Sequence, residues 1–219
     1  MRSAAVALVV VFALLLAACA SPTGAGSQDA LPDDAPLVAF YGDSYTLGTG
    51  ATDPSRRWST RIAEDRGWRE FNPSQNGLGF VTNREAMRAD LPGQIIDADP
   101  DIVLVTMGLN DVFSYDGAGD GIRRQIERDF DRLSTELPRA RIIVVEPFWY
   151  TAERPESLEV IIDWVREAAA EIDADYIEGA SSWIRGRKAE MAADGVHPND
   201  AGYDLITRRM DAALSDLGL

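Results

Sequence analysis

Ser44, Asn110, Asp194 and His197 are the residues whose types and spacing fit one piece of chemistry. Gly42, Asp43 and Ser44 directly follow a short apolar run, residues 37–41. A serine at a tight turn from strand into helix exposes its hydroxyl at the top of a sheet. Its backbone N–H, at the helix start, can point into the same space. Gly108, Leu109, Asn110 and Asp111 close the strongest apolar run of the chain, where a side-chain amide can donate to a developing oxyanion. Asp194 and His197 lie three residues apart, just before a final helical pattern. That spacing lets the carboxylate hold Nδ1–H while Nε2 faces a nucleophile. His197 is the only histidine, so any step that needs an imidazole uses it. The set suits a hydroxyl nucleophile, an imidazole base and a donor to a developing oxyanion.

Such loops need a scaffold that brings them to one edge. Residues 37–41, 69–72, 101–107, 140–146 and 174–177 read as strands, and those at 37–41, 101–107 and 140–146 are continuous rather than alternating apolar runs. Residues 56–66, 122–137 and 158–172 read as helices, and a last helix, capped by Asn199 or Asp200, runs through Leu214. Strand and helix patterns alternate. The expected fold is therefore α/β: a three-layer sandwich around a parallel, flavodoxin-like five-stranded sheet. Ligands in such sheets bind at the carboxyl ends of the strands, where the loops after Tyr41, Met107 and Glu146 lie.

These residues resemble the SGNH hydrolases, the GDSL esterase and lipase family, from Gly42 to the last helix. The resemblance gives Ser44 the nucleophile's place, His197 the base's and Asp194 that of its orienting acid. It gives the oxyanion hole to the Ser44 N–H, the Asn110 amide and the N–H of a glycine between the first two motifs. Gly77 and Gly79 share one short loop there; Gly77 is the expected donor and Gly79 the alternative. Tyr45 stands where the family often has Leu, a departure expected to affect local packing only. The implied activity is that of a serine ester hydrolase, an esterase or carbohydrate O-deacylase working through an acyl-enzyme. It requires no cofactor and no metal, and should decline as the pH falls through the imidazole titration. An acyltransferase using the same triad, or a non-catalytic binding module on this fold, are the rival readings.

Other residues are less specific. Asp111, Asp116 and Asp120 fall in or beside a glycine-rich stretch; their spacing fits no EF-hand loop, and a solvated loop is expected. Trp149 and Tyr150 follow a strand at the active end and are candidate substrate-binding residues; Phe148 suits the core equally. Trp58, Trp68, Trp164 and Trp183 read as core or half-buried.

The formal net charge of −15 repels phosphate backbones and speaks against nucleic-acid partners. A small-molecule, glycan or lipid ester is the expected substrate. Arg2 and the wholly apolar residues 4–18 read as a signal peptide, residues 1–18. Leu16, Ala17, Ala18 and Cys19 resemble the bacterial lipoprotein cleavage box, which implies cleavage before Cys19 and lipid on its sulfur. With one cysteine no intrachain disulfide can form. Residues 19–35 would be the lipidated Cys and a flexible tether, and residues 36–219 the catalytic domain. The expected location is the outer face of a bacterial cell membrane.

Overall fold

The computed structural model describes residues 31–219; the expected signal peptide, Cys19 and most of the tether lie outside the described residues. Five strands, β1 (Leu37–Tyr41), β2 (Arg69–Phe71), β3 (Ile102–Val105), β4 (Arg141–Val145) and β5 (Asp175–Ile177), form one parallel sheet in the order β2-β1-β3-β4-β5. Val38 pairs with Ile102, Val103 with Ile142 and Ile143 with Asp175. The α/β, flavodoxin-like expectation therefore stands, strand for strand.

Both faces are covered, which explains the unbroken apolar runs. Val38, Phe40, Leu104, Ile143 and Val145 point to one core, together with Trp58 and Ile62 of α2 (Trp58–Asp65) and Tyr203, Ile206 and Met210 of α7 (Asp200–Asp216). Ala39, Tyr41, Val103, Val105 and Val144 point to the other, with Leu91 and Ile95 of α4 (Leu91–Ala98), the apolar stripe of α5 (Tyr115–Glu136), and Ile161 and Val165 of α6 (Glu156–Glu171). Each fully buried Leu, Ile or Val contributes about 1.5–3 kcal/mol. Trp58, Trp68 and Trp183 are buried and Trp164 partly so.

Two differences from the sequence reading have physical causes. α5 begins at Tyr115, so Asp116 and Asp120 sit exposed on a helix, not in a solvated loop. Tyr115 stacks on Trp164 at 5.9 Å and Ala118 packs on the core; this tertiary packing overrides the helix cost of Gly117, Gly119 and Gly121. The short helices α1 (Ser44–Leu47) and α3 (Arg84–Met87), and α4, are additional. Asp90 caps α4 through the Gly93 N–H, and Leu91 and Ile95 form its buried stripe.

Beneath the active edge lies a buried ion pair. Asp129 of α5 accepts from the Tyr41 hydroxyl at 2.5 Å, from Gln125 Nε2 at 2.8 Å and from Arg84 Nη2 at 3.0 Å. Burial first, then the Asp129 charge, holds the Tyr41 phenol well above its ordinary titration range, so it stays a donor. Arg84 also reaches the carbonyl of Phe80 at 3.3 Å, tying α3 and the preceding loop to α5. Replacing Asp129 by Ala strands the Arg84 charge and the Tyr41 hydroxyl. Urea unfolding should show a loss of about 3 kcal/mol, the lower end of the range for a broken buried pair, because Arg84 keeps some solvent contact.

Candidate active site

The strand order places the reversal of chain direction between β1 and β3, where open α/β sheets bind ligands. Ser44 follows β1 and Asn110 follows β3, so the two flank that point. Asp43 caps α1: its Oδ1 accepts from the Tyr45 N–H at 2.9 Å. Gly42 admits no side chain, since a Cβ there would sit 2.5 Å from the hydroxyls of Thr46 and Thr106. Ser44 is thereby held at the first position of the helix, where its own N–H has no acceptor within the helix and donates to no other group among the described residues.

The second element is loop 77–82. The buried Asp111 carboxylate accepts from the backbone N–H groups of Phe80 (2.6 Å), Val81 (3.0 Å) and Thr82 (3.0 Å), and from the Thr82 hydroxyl (3.2 Å). The solvated reading of Asp111 is thus corrected: it is fully buried. Burial raises its pKa and the three N–H groups pull it back. Gly79 is needed for close approach, because a Cβ there would meet the Asp111 carboxylate at 2.5 Å. Its N–H is spent on the Thr82 carbonyl at 2.9 Å. Gly77, at φ +71, has an N–H without acceptor among the described residues, and of the two glycines it is the one able to serve an oxyanion.

Asn110 joins the two halves. Its Nδ2 donates to the Leu78 carbonyl at 2.9 Å and to Asp43 Oδ2 at 3.2 Å. It therefore sits between the cap of Ser44's helix and the glycine loop. Both amide hydrogens are engaged, and the longer bond to Asp43 is the one a substrate oxygen can take over. Asp43 is buried, and desolvation above all raises its pKa to about 7.

His197 is oriented by its own turn. His197 Nδ1 and Asp194 Oδ2 are 2.7 Å apart. A carboxylate only accepts, so Nδ1 carries the proton and the lone pair lies on Nε2. Asp194 Oδ1 takes the N–H groups of Val196 at 2.9 Å and His197 at 3.0 Å. The His197 bond first, then these, lower its pKa to about 2. Asn199 caps α7 behind it through the Gly202 N–H. Among the described residues no hydrogen bond joins Ser44 Oγ to His197, a spacing common before substrate binds.

Tyr45 does more than pack. Its hydroxyl donates to the Val196 carbonyl at 2.5 Å, and its ring stacks on Phe148 and lies 6.1 Å from the His197 ring. It links the serine's helix directly to the histidine's turn, which the sequence comparison with Leu concealed. Of the two aromatic candidates, Tyr150 lines a cavity beside this turn. Trp149 does not: it is 4 % exposed and its indole N–H is spent on Thr151 and the Glu153 carbonyl. Among the described residues no cluster of three or more His, Cys, Asp or Glu is placed to hold a metal.

The order, spacing and geometry of these groups define a class. The family pattern of the GDSL-like lipase/acylhydrolases matches residues 40–205, and the chain belongs to that family. Among its relatives, GDSL lipase Rv0518 of Mycobacterium tuberculosis is 27% identical over 187 residues, covering 81% of each chain. Solved structures with the same fold include two of known activity class. The psychrotrophic esterase EstA of a Pseudoalteromonas species matches at TM-score 0.66 and 16% identity, over 83% of this chain and 98% of its own. The salicylyl-acyltransferase SsfX3 of a tetracycline biosynthetic pathway matches at 0.65 and 19%, over 84% of this chain and 56% of its own.

Two outcomes test this geometry. Tyr45→Phe should lower stability by about 1 kcal/mol, the worth of one hydrogen bond, and reduce kcat on an ester about fivefold with less change in KM, because the His197 turn loses its tie. For Asp43, the folded-state pKa lies above the unfolded value, so the folded state holds the extra proton between pH of about 4 and about 7. Stability from this group is complete below about 4 and lost as the pH rises through about 7. Chemical denaturation across that window should show Asp43→Asn gaining on the parent protein with rising pH, whatever constant offset the substitution adds.

Proposed function

We propose that the chain is a serine ester hydrolase, an esterase or carbohydrate O-deacylase, with Ser44 as nucleophile and the Asp194–His197 pair as its base. The observation that carries this reading is the 2.7 Å contact that leaves the Nε2 lone pair free, on a turn bonded to the serine's own helix through Tyr45.

His197 Nε2 takes the Ser44 Oγ proton as the oxygen attacks the ester carbonyl. Asp194 keeps Nδ1–H oriented and stabilises the imidazolium. The oxyanion receives the N–H groups of Ser44 and Gly77, and the Asn110 hydrogen now shared with Asp43. Each such donor is worth about 3–4 kcal/mol in the transition state. Collapse expels the alcohol, which takes its proton from His197. Water, deprotonated by His197, then attacks the acyl-enzyme, and Ser44 regains its proton. This chain's residues complete the cycle without a metal or cofactor. The substrate class is a small-molecule, glycan or lipid ester. In the same proposal, lipid on Cys19 holds the domain at the outer face of the cell membrane, where such esters occur.

Hydrolysis of 4-nitrophenyl acetate and butyrate by residues 21–219 should be measurable and lost in Ser44→Ala. Asn110→Ala should lower kcat about 10²–10³-fold, as for other oxyanion donors. A phosphonate probe should add one equivalent to the parent protein and none to Ser44→Ala. Background-level turnover and no phosphonate adduct in the parent would remove the esterase reading.

A further inference from the structure

The cation inventory of the chain is lopsided. Lys188 is its only lysine, against a net charge of −15. That lysine lies in the wall of a cavity of about 390 Å³, also formed by Tyr150, Thr151, Gly186, Met191 and Ala192. This size falls within the usual range for small-molecule sites, roughly 300–1,000 Å³. The lining is mostly apolar, and Lys188 is its one charged residue.

The cavity adjoins the catalytic turn. Ala192 and Gly195 line it, and Ala192 N–H donates to the His197 carbonyl at 2.8 Å. Met191 bridges to Pro198 across the same turn. Gly50 lets the chain close on this side, since a Cβ there would stand 3.1 Å from His197 Cβ and 3.2 Å from Ala192 Cβ.

No carboxylate answers the lysine. Among the described residues Lys188 forms no ion pair, whereas its neighbour Arg187 pairs with Glu190 at 3.6 Å. Asp194, on the adjoining turn, has both oxygens committed to His197 and to the Val196 and His197 N–H groups. An unpaired ammonium at a mostly apolar and otherwise uncharged cavity lining selects by charge.

The geometry points to a specificity site: this cavity takes the part of the ester remote from the reacting carbonyl, an apolar segment ending in an anionic group that sits beside Lys188. The inference rests on the esterase reading and adds the substrate class, an ester of an anionic acid or of an anionic alcohol.

Two substrate pairs test it. Mono-4-nitrophenyl glutarate against 4-nitrophenyl valerate places the charge on the acyl side. 4-Acetoxybenzoate against its methyl ester places it on the alcohol side. In one pair, the ratio of kcat/KM for anionic over neutral ester should fall about five- to tenfold in Lys188→Met. It should be kept within about twofold in Lys188→Arg and fall further in Lys188→Glu; added salt should narrow the difference. Because the readout is a ratio within each variant, a general loss of folded enzyme does not imitate it. An unchanged ratio in both pairs, with turnover intact, overturns the inference and leaves the esterase reading standing. Should no ester turn over, calorimetric binding of the glutarate monoester decides: weaker binding to Ser44→Ala/Lys188→Met than to Ser44→Ala supports the site, and equal or absent binding overturns it.

Discussion

The site depends on one buried carboxylate. Loop 77–82 has no regular structure, yet its backbone N–H groups are partly buried and each needs an acceptor. Asp111 supplies acceptors to three in succession. Taking a carboxylate out of water costs several kcal/mol, and charge-assisted bonds of about 1.5–3 kcal/mol each offset it. Because Asp111 follows Asn110, the turn that delivers the amide also fixes the loop that carries Gly77. Two of the three proposed oxyanion donors are therefore positioned by a single interaction rather than two. Gly79 belongs to the same constraint: it leaves room for the carboxylate and spends its own N–H inside the loop.

The serine and histidine side is built differently. Asp194 is nearly half exposed and His197 about a fifth, so their alignment comes from local bonds within one turn. That turn is joined to the scaffold by the Tyr45 hydroxyl, by the Met191–Pro198 bridge and by the cap of α7. Asp43 connects the two sides. It caps the helix of Ser44 with one oxygen and holds Asn110 with the other, which places a buried, reluctantly ionised group at the junction of the proposed nucleophile and oxyanion donor.

The three central strands, β1, β3 and β4, were legible because each is a short apolar run ended by a polar or turn residue, and a sheet covered on both faces demands that pattern. The Asp194–His197 pairing was legible because it is local: three residues apart is close enough for the geometry to follow from sequence. Asn110 and Ser44 were legible as strand-end residues. What sequence did not convey is long-range. The Asp111 clamp acts across about thirty residues of separation, and the Tyr45 tie across 151. A carboxylate next to glycines reads equally as a solvated turn, and a Tyr in place of Leu reads as packing, until the partner loops are in view. The α5 start was hidden for the opposite reason: local propensity argued against a helix that Tyr115 and Trp164 hold in place.

These two kinds of construction decide where a substrate's bulk can go. The oxyanion side is filled: Asp111, Leu78, Phe80 and Leu109 are buried and Asn110 is bracketed by its two acceptors. A bulky group directed there would have to break the Asp111 clamp. The histidine side is open, with a half-buried Tyr150 and a mostly apolar cavity walled by the catalytic turn itself. In the proposed reaction, a carbonyl seated on the Gly77 and Ser44 N–H groups would leave the remainder of its ester on the open histidine side. Under that proposal the oxyanion is held on the buried side and selectivity is read on the exposed one. The buried side tolerates little change, because the Asp111 carboxylate and the Asn110 amide are held by several hydrogen bonds each. The exposed side can be altered residue by residue, since its lining carries a single charge and few hydrogen bonds. In the proposed arrangement the choice of substrate rests on Tyr150, Thr151, Lys188 and Met191, and the reaction on the Asp194–His197 pair and on residues that the sheet and the buried Asp43 and Asp111 hold fixed.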